Sequence, residues 1–189
     1  MRLGVLLGAA AALSAERACY IWIARAPRAF ERFCAWRPVA WIGEPVAVVR
    51  ALFCGFKLLQ ISTFAWWCRA HGDGSLAPAA DPLVLAAGGA AIVAGQILNL
   101  AVFYRLGSVA VFYGDRFGHE VPWCHAFPFS VLSHPQYVGA LMTIWGLFAV
   151  MRFPQPDWIV LPTLETIYYA LGGWLETRGG RADYGPATT

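Results

Sequence analysis

Three histidines, His119, His125 and His134, and two carboxylates, Asp115 and Glu120, fall in the stretch 105–135, between two apolar runs. Groups that titrate near neutral pH, held between hydrophobic segments, read as a reaction site at a membrane surface. The segment runs Tyr113-Gly114-Asp115-Arg116-Phe117-Gly118, then Phe127-Pro128-Phe129, then Ser133-His134-Pro135-Gln136-Tyr137-Val138-Gly139. The histidines lack the tight spacing of a metal site and the one cysteine near them is Cys124, so no metal is expected. His134-Pro135 looks like a helix start, because proline suits a first turn. The free amides there form an anion site that a cofactor carboxylate could use.

The elements that must position these groups are apolar. The 189 residues are 59% hydrophobic and 13% charged, where soluble domains carry about 25% charge, so a membrane protein is expected. Pro82 to Tyr104 contains no charged residue and is long enough to cross a hydrocarbon core of about 30 Å. The other candidate spans are 3–24, 46–67, 136–151 and 158–175, around a catalytic loop at 105–135 and ahead of a cytoplasmic tail at 176–189, in a single domain, 1–189. The expected fold is all-α: a polytopic transmembrane bundle of four to five spans. The loop carries Pro122, Pro128 and Pro135 among many aromatics, which precludes one straight helix and favours re-entrant or interfacial segments. An uncleaved first helix is preferred to a signal peptide, because the apolar run resumes after Glu16 and Arg17.

Five scattered cysteines suggest neither disulfides nor zinc. The net charge of +3 is too small for a nucleic-acid partner, and oligomeric state is not legible. Arg25, Arg28, Arg32 and Arg37 in the first loop, Arg105 and Arg116 in the third, and Arg178 and Arg181 in the tail outnumber Arg2, Arg69 and Arg152 opposite. The positive-inside rule then places the motif loop and the tail in the cytoplasm.

Several spans carry residues that lipid would penalise: Glu16, Arg17, Arg50, Lys57 and Glu165. A charge near the bilayer centre costs about 2.5–3.5 kcal/mol, so these should face a partner or a wet cavity. Glu165 is expected to pair with Lys57 or Arg50, against a ligand role. Glu165, Tyr169, Gly172 and Glu176 share one helix face, and Glu176, at the cytoplasmic end, is favoured for ligand contact. Gly88, Gly95, Gln96 and Asn99 share another face, which reads equally as helix packing or as a cavity wall.

The ordered set of Tyr113-Gly114-Asp115-Arg116-Phe117-Gly118, Pro122-Trp123, Phe127-Pro128-Phe129 and His134-Pro135-Gln136-Tyr137-Val138-Gly139, with the tail Leu175-Glu176-Thr177, resembles the phospholipid N-methyltransferases, the plant-type members most closely. The His-Pro-x-Tyr-x-Gly string alone is shared with isoprenylcysteine carboxyl methyltransferases and some sterol reductases; the preceding elements make it specific.

The resemblance implies an endoplasmic reticulum membrane enzyme using S-adenosylmethionine. Its acceptors would be phosphatidyl-N-methylethanolamine and phosphatidyl-N,N-dimethylethanolamine, giving phosphatidylcholine, with phosphatidylethanolamine as a further candidate. The family's cofactor motifs map onto Val93-Ala94-Gly95, where only Gly95 matches well, with Gln96 beside it, and onto Leu175-Glu176-Thr177, where Glu176 does. His134, Pro135, Tyr137 and Gly139 join the cofactor set. Tyr113, Arg116 and Trp123 are candidates for the substrate. An attacking amine must be neutral, at a cost of roughly 4.6 kcal/mol at pH 7 if its pKa is near 10.4. His119, Glu120, Asp115 and His134 are the candidates to take or hold its proton. The competing readings are a prenylcysteine carboxyl methyltransferase-like enzyme and a noncatalytic lipid-binding membrane scaffold.

Overall fold

A computed structural model describes residues 2–71, 78, 81–121 and 124–180, the side chains of 176–180 excepted. The described residues are helical, without strands: α1 (Leu3–Arg25), α2 (Pro27–Cys34), α3 (Arg37–Ala40), α4 (Pro45–His71), α5 (Pro82–Val111), a 3-10 turn (Gly114–Phe117), α6 (Pro135–Arg152) and α7 (Val160–Gly180). Proline opens α2, α4, α5 and α6, where its missing N–H costs nothing and its fixed φ suits the first turn. Asp81 caps α5, its Oδ1 accepting from the Leu83 amide at 2.8 Å and the Val84 amide at 3.4 Å.

Among the described residues α1, α4 and α5 are long and apolar enough to cross a membrane, and the protein is an integral membrane protein. The two further apolar runs also form helices, α6 and α7, packed beside them.

The tightest seam joins α5 to α6 in antiparallel register, Gly88 facing Gly146 and Gly95 facing Gly139. A Cβ on Gly95 would lie 2.4 Å from the Gly139 carbonyl oxygen, and one on Gly139 would lie 2.7 Å from that of Gly95. The Gly88–Gly146 pair is equally close, at 2.9 and 2.6 Å. Apolar side chains gain little by associating within lipid, so close backbone approach supplies the attraction instead. The polar face of α5 thus divides its labour: its glycines pack, Gln96 Nε2 donates to Thr143 Oγ1 at 2.9 Å, and Asn99 borders a cavity while its Oδ1 lies over Gly139, 2.8 Å from where a Cβ there would be.

On the other side α1 packs on α4 and α7, and α7 on α6. At the end of the bundle remote from the motif loop the Arg2 amide meets His71 Nε2 at 3.3 Å. Nearby, Asp157 receives Arg152 Nη2 at 2.7 Å, Arg152 Nε at 3.1 Å and Trp67 Nε1 at 2.7 Å. Burial alone would raise the Asp157 carboxyl; the hydrogen bonds from Arg152 and Trp67 outweigh it and hold the group below the usual aspartate range.

Gly95→Ala should lower the melting temperature in detergent, at a cost of about 1–3 kcal/mol for overpacking. Gly89→Ala, with nothing within 4 Å of its added Cβ, should be neutral or stabilising by up to about 1 kcal/mol. Equal effects would discount the seam. The depressed Asp157 carboxyl stabilises the fold above its ordinary value of 3.8, and that contribution is lost as pH falls through the lower folded value. Asp157→Asn should therefore melt well below the wild type at pH 7, with the gap narrowing towards pH values of about 3 and below.

Candidate active site

A cavity of about 420 Å³ lies between α1, α4, α5, α6 and α7, towards the end of the bundle that carries the motif loop. Its inner wall is charged. Glu16, with its side chain 3% exposed, stands 3.5 Å from Lys57 Nζ and 3.4 Å from Arg17 Nη2. Gln60 joins them, donating Nε2 to Glu16 and accepting from Lys57 Nζ at 2.8 Å through Oε1. A carboxylate removed from water is tolerated only when paired and hydrogen-bonded, and this cluster supplies both. The Arg17 guanidinium lies 3.8 Å from the Tyr169 ring centre, 5.6 Å from Tyr20 and 5.7 Å from Tyr137, distances at which each ring attracts the cation. Its Nε has no hydrogen-bond partner, nor has the buried Asn99 Oδ1.

Lys57 was expected to face Glu165, with Arg50 as the other choice. It faces Glu16 instead, because α4 packs on α1 rather than on α7, and Arg50 is exposed. Glu165 is 3% exposed and its Oε2 has no partner. It borders a second, apolar cavity of about 410 Å³ that shares Lys57, Gln60, Thr143 and Ile144 with the first.

The motif loop closes the polar cavity. Helix α5 breaks at Gly107 (φ 75°, ψ 166°), and Tyr113 takes the left-handed conformation (φ 59°), which costs a residue with a Cβ about 1–2 kcal/mol. That turn puts the Tyr113 ring on the cavity, 5.9 Å from Tyr20. The next residue must be glycine: a Cβ on Gly114 would meet Val109 Cγ1 at 2.4 Å and the Val109 carbonyl oxygen at 2.7 Å. Gly118, at φ 81°, ends the short 3-10 turn. The glycines of the Tyr-Gly-Asp-Arg-Phe-Gly string therefore build the turn that aims Tyr113.

Of the residues assigned from sequence to cofactor or substrate, Gln96, Tyr113 and Tyr137 line the polar cavity. His134 and Pro135 border a smaller cavity of about 190 Å³ at the start of α6, which shares Tyr113, Gln136 and Tyr137 with the polar one. His134 stacks on Tyr137 at 5.6 Å, and Tyr137 meets Tyr169 edge-on at 5.2 Å, so a row of rings leads from the surface to Arg17. Asp115, His119 and Glu120 are exposed and lie outside these cavity walls, as does Arg116, which pairs with Asp115 at 3.5 Å. Val93 is 59% exposed, Ala94 is half-buried on the same turn, and Gly95 and Gly139 sit in the α5–α6 seam. Leu175 is half-buried in the last turns of α7. Trp123 and the side chains of Glu176 and Thr177 lie outside the described residues.

The family model for phospholipid methyltransferase matches residues 83–184, more than half of the chain. The chain belongs to that family. The phosphatidyl-N-methylethanolamine N-methyltransferase of Arabidopsis thaliana is 48% identical over 74 residues, 39% of this chain and 43% of that one. The enzyme of the same name from Schizosaccharomyces pombe is 35% identical over 75 residues, 39% of this chain and 37% of that one. The phosphatidylethanolamine N-methyltransferase of Mus musculus is 36% identical over 78 residues, 41% and 38% of the two chains. The matched stretch thus spans about two fifths of the curated relatives. No solved structure matches.

Glu16, Arg17, Tyr20, Lys57 and Gln60 lie outside the family match, yet they form the charged wall of the cavity. Sequence did carry a signal for three of them, since Glu16, Arg17 and Lys57 are charges inside apolar runs. Gln60, Tyr20 and Thr143 have no such signal, being ordinary residues within a membrane helix. If the Glu16–Lys57 pair holds this wall, Glu16→Gln and Lys57→Met should each lower the melting temperature of the purified protein. The double variant should lose less than their sum, by about 0.5–3 kcal/mol; strict additivity would mean that the pair contributes nothing.

Proposed function

We propose that this phospholipid methyltransferase methylates the amine of phosphatidyl-N-methylethanolamine and phosphatidyl-N,N-dimethylethanolamine with S-adenosylmethionine, in the polar cavity behind Tyr113. The observation that carries this reading is the set of buried polar atoms left without partners: Arg17 Nε and Asn99 Oδ1 on residues that line that cavity, and Glu165 Oε2 across the Lys57–Gln60 wall that it shares with the apolar cavity. A buried donor or acceptor without a partner costs about 1–3 kcal/mol, and a zwitterionic cofactor with a zwitterionic lipid offers what each lacks.

The residues fit the cofactor. Arg17 would receive its carboxylate, the Asn99 side-chain amide at the cavity wall would hydrogen-bond its amino-acid end, and the tyrosine rings suit a sulfonium. The cavity of about 420 Å³ falls within the roughly 300–1,000 Å³ of small-molecule sites. When bound, S-adenosylmethionine supplies an electrophilic methyl group. The chain's own work is then alignment, which is worth about 7–11 kcal/mol when reacting atoms are held in line, and proton management. Glu165 Oε2 would accept the amine's proton, leaving its lone pair free to form the new N–C bond as the S–C bond breaks. Tyr113 and Tyr137 would hold the methylated ammonium by their faces and keep bulk water out.

In this reading α6 and α7 cross the bilayer with the other three, and the arginine-rich end, with the motif loop, faces the cytoplasm. Support for the partly methylated acceptors comes from the similarity to the Arabidopsis thaliana protein. The test is transfer of labelled methyl in membranes, offering phosphatidylethanolamine, its mono- and dimethyl forms and a prenylcysteine separately. Label confined to prenylcysteine, or none with folded protein, would overturn the proposal. Arg17→Met should weaken S-adenosylmethionine binding by about 10- to 100-fold, measured directly at equilibrium. Glu165→Gln should instead lower kcat by about 100-fold or more with little change in that affinity.

A further inference from the structure

We infer that the apolar cavity between α4, α6 and α7 is the seat of an acyl chain of the phospholipid acceptor, and that the gap between α4 and the α5–α6 pair is the door through which the lipid slides in from the bilayer. The inference rests on the proposed function, and adds where the lipid's tail goes and by what path.

The gap follows from the packing. Helix α4 is held by α1 and α2, and α5 by α6, while α4 touches α5 and α6 only lightly. Two ring contacts bracket the opening: Phe53 lies 6.5 Å from Phe103 at the motif end, and Phe64 lies 5.0 Å from Phe148 at the other. Phe53 and Phe64 stand eleven residue steps apart on α4, about 16 Å of helix. Gln96, a cavity-lining residue, is exposed, as is Ile61 on the apolar side, at 63%. Both cavities therefore reach the outer surface of the helices, where the bilayer lies.

The polarity along this gap matches a phospholipid read from headgroup to tail. The polar cavity lies at the motif end, under Tyr113. The apolar cavity continues it towards the end marked by Arg2, Arg152 and Asp157, and is lined by Leu13, Ile61, Phe64, Leu147, Phe148 and Leu161. They share the wall of Lys57, Gln60, Thr143 and Ile144, and Glu165 stands on the apolar side of it with an unpartnered oxygen. A lipid whose amine lies in the polar cavity along this shared wall, with Glu165 just across it, must leave its glycerol and chains beside the wall, and the apolar lining is where a chain avoids water. A prenylcysteine would bring a carboxylate to the same place, against Glu165.

The test uses the full chain in nanodiscs with phosphatidyl-N-methylethanolamine bearing a photoreactive diazirine on one acyl chain. Crosslinks should map to the peptides carrying Ile61, Phe64 and Leu147, and Leu147→Trp, which fills the cavity, should reduce them. That variant should also lower kcat/KM for a dioleoyl acceptor by about tenfold more than for a dihexanoyl one, the value of roughly two buried methylenes. Ile61→Trp, at the rim, makes the same test if Leu147→Trp does not fold. Crosslinks confined to the outward faces around Leu58 and Val93, both exposed and away from the cavities, or labelling and chain-length preference untouched by both tryptophans, would overturn the inference. Cavity crosslinks without methyl transfer to any acceptor would uphold the acyl seat and sink the methyltransferase reading instead.

Discussion

The structure turns on pairing the Glu16 carboxyl group inside an apolar bundle. Lys57 and Arg17 balance it, and Gln60 ties Lys57 to it. This fixes α4 against α1, because two charges out of water must stay within a few ångströms or bear the full desolvation cost. With Lys57 paired to Glu16, Glu165 has no ion-pair partner among the described residues, and Arg17, beside Glu16, lies over the Tyr169 ring with its Nε unbonded. The polar character of the site is what remains when one ion pair has been satisfied.

The opposite wall is set by different physics. Four glycines bring α5 and α6 to backbone contact, the closest helix pairing among the described residues. Bulkier residues would force the two backbones apart. The cavities thus lie between a pair held by charge and a pair held by close packing, with aromatic contacts at either end to set the width.

The motif loop shows how a string of residues can be informative without being chemical. Tyr-Gly-Asp-Arg-Phe-Gly marks the family, but its glycines serve a left-handed turn and a close approach to Val109, and its charged pair sits on the surface. The carboxylates and histidines that draw the eye in the sequence, Asp115, His119 and Glu120, lie outside the cavity walls. Tyr113 and Tyr137, chosen for their rings, lie on them.

The sequence by itself determined an all-helical membrane protein, the helical runs, the helix start at Pro135 and the family, because these follow from apolar length, proline placement and local strings. It also determined that Glu16, Arg17, Lys57 and Glu165 would face partners or cavities, since that penalty needs no partner to be known, whereas Arg50, read in the same way, is exposed near the start of α4. Only the tertiary structure decided which charge meets which, that the glycines of α5 pack while its amides face the cavity, and that the first two long helices, outside the family match, supply the charged wall. Pairing across helices depends on which faces meet, and helical periodicity gives the face of each helix but not its neighbour.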